Sequence, residues 1–177
     1  MDWPAGVKAE ALFSSDVAHN IMNPNDPVWS LLDSNNPSNL KHLIEAKLGE
    51  LGSQIPEDVE FLTTDERKGP VHVAEGATIE AHVHLIGPCL IESNATIRSH
   101  AYVREYTWMM SGSLLGHASE SKHSLFFPGA RLHISITLVT LFSVQTSTLE
   151  LESNSQTYEM MENKSESGSM MFGEIQG

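Results

Sequence analysis

Residues 73–120 read VAEGATIEAHVHLIGPCLIESNATIRSHAYVREYTWMMSGSLLGHASE, and the spacing inside them decides the fold. Val73, Ile79, Leu85, Ile91, Ile97, Val103, Met109 and Leu115 recur every six residues without a slip. Four residues after each stand Ala77, Val83, Cys89, Ala95, Ala101, Thr107, Ser113 and Ser119, nearly all small. A helix of 3.6 residues per turn cannot keep every sixth residue on one face, and a lone strand alternates by two. A triangular coil of three short strands can. Each aliphatic then points inward, a small residue turns each corner, and about eighteen residues close one turn. Val73, Ile91 and Met109 stack on this scheme, as do Ile79, Ile97 and Leu115. Self-similarity at a fixed period marks a solenoid, whose coils bury their faces only against one another. The expected fold is mainly β: a short parallel β-helix over residues 69–130 with about three coils. Phe126, Phe127, Pro128 and Gly129 extend the third coil, and nothing after Ala130 restores the pattern. The coil would end there as an open edge, a liability for pairing with other chains.

Outward from the repeat, residues 1–68 carry helix punctuation and no hexads. Asn25, Asp26 and Pro27 offer a cap and a first-turn proline ahead of Val28, Trp29, Leu31 and Leu32. A second helix starts near Asn36, Pro37 and Ser38. It sets Leu40, Leu43, Ile44, Leu48 and Leu51 on one stripe and stops at Gly52. That stripe needs a partner, and the neighbouring β-helix is the obvious one. On the other side, the tail from Ser143 is rich in Ser, Thr, Glu, Asn and Met, a composition that cannot bury enough apolar surface to order. Residues 134–142 have strong β-propensity and little charge, and are expected either to add an edge strand to the open coil or to aggregate. The pairs Met160, Met161 and Met170, Met171 read as accidental composition.

The totals narrow the function classes. The chain has 177 residues, 40% of them hydrophobic, with a formal net charge of −13. Phosphate contacts need Lys and Arg, so a general nucleic-acid or anionic-membrane binder is not expected. The longest apolar run, residues 134–144, is interrupted by Ser and Thr and is too short to span a bilayer. One cysteine, Cys89, precludes an intrachain disulfide and fits a reducing compartment. The first residues lack a basic stretch followed by an apolar core, so no signal peptide is read and a cytoplasmic location is expected. Cys89 falls at a small position of the hexad, which suits a buried structural thiol better than a nucleophile.

Residues 69–130 resemble the left-handed β-helix of hexapeptide-repeat acyltransferases. They are similar to the acetyltransferase domain of bifunctional N-acetylglucosamine-1-phosphate uridyltransferases and to free-standing sugar-nucleotidyltransferase-like relatives. The runs that carry the likeness are Ala101, Tyr102, Val103, Arg104, then Gly116 through Lys122 (GHASESK), then Leu125 through Ala130 (LFFPGA). Phe13, Asp16, His19, Trp29 and Leu32 resemble the lead-in of the free-standing relatives more weakly. The resemblance implies a left-handed coil, a homotrimer with sites between subunits, and acetyl transfer from acetyl-CoA to an amino-sugar phosphate without a metal. It places Arg104 and Lys122 on the phosphate of a sugar phosphate or sugar nucleotide. A guanidinium fork and a point ammonium suit that task. It also places Glu120 where it helps hold the catalytic base.

The likeness breaks after Ala130. Relatives continue with a segment like KAPHFNYVGDSILG, whose histidine is the general base that deprotonates the accepting amine. This chain reads Arg131, Leu132, His133, Ile134, Ser135 and Ile136 instead, and His133 is not in that register. A one-base deletion accounts for the break. With Arg131 encoded AGG and one A restored before it, permitted codons give the relatives' continuation, followed by SNVNFGAGVKLANLRNDGK. Residues 131–177 are therefore expected to be a frameshifted tail, and the chain as written to lack catalysis.

Two other function classes compete. A γ-carbonic-anhydrase-like zinc enzyme would use some of the nine histidines. His82 and His100 lie eighteen apart and should stack on adjacent coils, and His117 and His123 fall one hexad apart. Catalytic zinc needs three converging ligands and an open position, and the spacing offers pairs without a clear third. The remaining class is a non-catalytic β-helix fragment that oligomerises or binds a sugar phosphate.

Overall fold

The computed structural model describes Lys8, residues 20–133 and the backbone of residues 137–143 and 148–149. The chain divides into two units, residues 1–30 with 154–177, and residues 31–153. In the first unit, Lys8 and Pro27 form an isolated antiparallel bridge and Met22 is buried. The Asn25–Pro27 punctuation starts a single 3₁₀ turn, Val28–Leu32, in place of an α-helix.

The second unit is a left-handed parallel β-helix of about four turns. Its strands are β1 (Thr63–Asp65), β2 (Val71–Val73), β3 (Thr78–Ile79), β4 (His84–Ile86), β5 (Cys89–Ile91), β6 (Thr96–Ile97) and β7 (Tyr102–Val103). They continue with β8 (Thr107–Met109), β9 (Leu114–Leu115), β10 (Glu120–Phe126), β11 (Arg131–Leu132), β12 (Thr137–Ser143) and β13 (Thr148–Leu149). Every pairing between these strands is parallel, each strand lying on its counterpart in the next coil. Face A holds β2, β5, β8 and the second half of β10. Face B holds β3, β6, β9, β11 and β13. Face C holds β1, β4, β7 and the first half of β10, and β12 runs beside both halves of β10.

The hexad aliphatics point inward as expected. Leu85, Ile91, Ile97, Val103, Met109 and Leu115 are fully buried, and Ile79, at the first coil, is half-buried. The small partners differ from expectation in one respect. Val83, Cys89, Ala95, Ala101, Thr107, Ser113 and Ser119 also line the interior, and the corner is turned by the residue before each. Gly76, His82, Asn94, His100, Tyr106, Gly112 and Ala118 all have positive φ, at six-residue spacing that passes over Pro88. Glycine adopts that backbone freely and Asn and His tolerate it better than most residues, while Ala118 and Tyr106 hold it against their preference. Cys89 is buried, and burial pushes its thiol up to about 12, so it stays protonated and unreactive near neutral pH.

The repeat is irregular at both ends. On face C the first coil pairs Thr63 with His84, a step of 21 residues, whereas His84 pairs with Tyr102 at 18. Trp108 pairs with Leu125, and Leu114 with Arg131, at 17. The missing residue falls between Ser121 and Ser124, where the corner is Lys122 and His123 alone. After it, Phe126 and Leu132 resume the inward spacing of six, both buried. The ladder therefore passes the expected boundary at Ala130, since Arg131 and Leu132 stack on β9. It also begins before residue 69, at β1. The expected edge strand is present: the backbone of β12 pairs along β10. The expected disorder of the tail concerns residues that, apart from Ser143 and β13, lie outside those described.

Helix α1 (Leu40–Leu51) is capped by the Asn39 side chain, which accepts from the His42 amide at 3.0 Å, and ends at Gly52 with φ 73°. Leu40, Ile44 and Leu48 form its buried stripe, while Leu51 is exposed at the last turn. The stripe packs on β5 and β10 of face A, the partner surface its pattern demands.

Candidate phosphate-binding face

Arg104 and Lys122 directly follow the inward residues Val103 and Ser121 on consecutive rungs of face C. Val103 pairs with Ser121, and the Arg104 amide donates to the Ser121 carbonyl at 2.7 Å. The two residues thus lie on adjacent rungs of the ladder, as their 18-residue separation predicts. Their surroundings differ. Arg104 Nη1 donates to Glu120 Oε1 at 2.7 Å, and Arg104 Nε lies 3.7 Å from Glu105 Oε2. The Glu120 hydrogen bond holds the guanidinium firmly protonated. Among the described residues, Lys122 has no carboxylate within 4.0 Å. Glu120 accepts this hydrogen bond from Arg104 and leaves part of the guanidinium fork free.

Glu105 was not singled out by sequence reasoning. Its side chain is 7% exposed, its Oε1 accepts from Lys68 Nζ, and its Oε2 has no hydrogen-bond donor. The Lys68 bond holds the Glu105 carboxyl below its ordinary range, with further help from the charges of Lys68 and Lys122. Lys68 belongs to the long first coil, outside the six-residue register, so spacing could not bring it here. The signal for Glu105 was a carboxylate one residue after Arg104, eighteen before His123.

The next corner residues are Tyr106 and His123, whose rings meet edge-on with centroids 5.2 Å apart. Tyr106 donates its hydroxyl to Glu45 Oε1 of α1 at 3.0 Å, and Lys41 Nζ lies 5.1 Å from the Tyr106 ring centroid. Burial lowers the His123 pKa, and Lys41, then Lys122, lower it further, so the imidazole is neutral at pH 7.

His82 and His100 do stack, with centroids 4.8 Å apart, and Phe61 extends the column at 4.8 Å. His117 and His123 fall at different corners, because one hexad is one face and not one turn. Among the described residues, no three His, Cys, Asp or Glu side chains group as metal ligands, which leaves the zinc reading without a ligand set. His133 is exposed at the end of β11, away from the Arg104 rung.

The six-residue period and the parallel ladders define a hexapeptide-repeat β-helix protein. No protein-family model, curated protein or solved structure matches the chain. Among the described residues no helix is long and apolar enough to cross a membrane.

Proposed function

We propose that this chain is a β-helix of the sugar-phosphate acyltransferase type that keeps a phosphate-recognising face and lacks the catalytic base. It binds an amino-sugar phosphate or sugar nucleotide, and as written does not acetylate it. The observation that supports this most is the placement of Arg104 and Lys122 on adjacent rungs, one hydrogen-bonded by Glu120 and the other, among the described residues, without a carboxylate. Together they offer a planar donor fork and a point charge to one phosphate. In the intact reaction the amine attacks the thioester of acetyl-CoA, a histidine takes its proton, and the thiol leaves. His133 does not supply that base, and a one-base deletion at the Arg131 codon accounts for the loss. The homotrimer and cytoplasmic location that the resemblance and the single thiol imply belong to the same proposal.

Calorimetric titration with glucosamine 1-phosphate, alongside a thiol-release assay with acetyl-CoA, tests it. Saturable binding, weakened about tenfold by Lys122→Ala, is expected, because charge-assisted bonds contribute about 1.5–3 kcal/mol. No thiol release is expected. Absence of binding, or turnover by the chain as written, would each overturn the proposal. Resequencing the codons for Pro128 to Leu132 tests the deletion directly: an intact AGG codon there would refute it.

A further inference from the structure

The β-helix corner at Tyr106 and His123 faces a second feature that the phosphate-binding face does not use. A cavity of about 330 Å³ lies between this corner and the start of α1, bounded by Leu31, Leu40, Lys41, His42, Tyr106 and His123. That volume is within the range of small-molecule sites. Leu31, Leu32 and Leu40 supply apolar lining, and Lys41, His42 and His123 supply an ammonium and two imidazoles. Among the described residues, no carboxylate lies within 4.0 Å of Lys41, His42 or His123. Glu45 lines the cavity as well, and its Oε1 accepts from the Tyr106 hydroxyl.

This grouping of an ammonium with two imidazole donors is unexpected on two counts. The chain as a whole carries −13. Folding of α1 does not account for it either, since its first turn holds Lys41 and no acid, and a cation there opposes the helix dipole. Groups placed against local preference are expected at functional sites. The one-residue shortening of the coil also falls here, at Lys122 and His123.

We infer that this cavity is a binding site for a small organic oxyanion, a phosphate ester or carboxylate whose apolar body rests on Leu31, Leu32 and Leu40. Lys41 meets the anion, and His42 and His123 donate to it. The site adjoins the Arg104–Lys122 face at Lys122 and His123, and it stands or falls without the acyltransferase reading.

The test uses the full chain and phenyl phosphate as probe, with inorganic phosphate as control, followed through the imidazole resonances of His123. The groups facing His123 are Lys41, His42 and Glu45 from α1, and Arg104, Glu105, Tyr106 and Lys122 from the β-helix. An anion beside Lys41 offsets the field that lowers the His123 pKa, so binding should raise that pKa. By linkage, affinity should then rise as pH falls through the His123 titration. Expected are a saturable shift of His123, tighter binding of phenyl phosphate than of inorganic phosphate, and about tenfold weakening in Lys41→Gln. The same variant should bind glucosamine 1-phosphate at the Arg104–Lys122 face within about twofold of the parent. His42→Gln is a second variant with an independent loss. A non-saturating drift shared with His82 and His84 would mean ionic screening only and would sink the inference. So would equal affinity in both variants.

Discussion

Faces A and C of the β-helix share one inward code and differ in what they turn outward. On face A the outward residues His72, Leu90, Trp108 and Leu125 are buried, because α1 and the segment ahead of β2 lie over them. Trp108 donates its indole N–H to Glu92 Oε1 at 2.8 Å, and Lys47 sits 5.2 Å from its ring centroid. On face C the outward column is His84, Tyr102 and Glu120, with Tyr102 39% exposed. The same six-residue grammar therefore builds one face as packing and leaves the other open to solvent. Inward residues specify the coil, and outward residues specify what each face does.

The sharpest way to break that comparison is a matched pair of outward truncations. Trp108→Ala should cost about 3–5 kcal/mol, since it empties a buried aromatic site and leaves Glu92 without its indole donor. Tyr102→Ala should stay within about 0.5 kcal/mol, because its ring meets chiefly the His84 edge at 5.7 Å and water. Urea unfolding with an unchanged m-value measures both. Comparable costs would show that face C is covered after all.

The second prediction concerns the shared code. Leu85→Ala on face C, Ile91→Ala on face A and Ile97→Ala on face B each remove a fully buried side chain from a regular coil. All three should cost about 2–5 kcal/mol, with no ranking by face. Ile79→Ala should cost less, because its coil is covered from one side only. A strong dependence on face would mean that α1, rather than coil stacking, carries the stability of the second unit.

What the sequence made legible follows the same division. The inward register was readable because eight aliphatics kept it without a break. The short third corner was not. Ser121 stands where an aliphatic should mark the register, and Phe126 and Phe127 offer two choices for resuming it. The corners were half-readable: Gly76, Asn94 and Gly112 announce positive φ, whereas His82, His100, Tyr106 and Ala118 do not. At the site, Arg104 and Lys122 were found because eighteen residues separate them. Lys68 and Glu105 were missed because a first coil of 21 residues brings Lys68 in from outside the repeat. The Tyr106–His123 corner needed α1 in place before its charge could be seen.

The smallest effect expected is also the one that tests whether Glu105 belongs to the packing or to the open side of this division. Its carboxyl is held below the ordinary value of 4.5, first by the Lys68 hydrogen bond, despite the opposing cost of burial. A carboxyl whose folded pKa is lowered contributes stability that is fully present above its unfolded pKa and is lost as pH falls through the folded one. Glu105→Gln should therefore destabilise by about 1 kcal/mol at neutral pH, a modest amount because Lys68 is 65% exposed and screened. The difference between parent and variant should close as pH drops below 4.5. Added salt should narrow the neutral-pH gap as well. If the gap persists at low pH, Glu105 acts through its shape in the corner, as the buried outward residues of face A do. If it closes, Glu105 is there for its charge, holding Lys68 and the Arg104 side of the candidate phosphate-binding face in position.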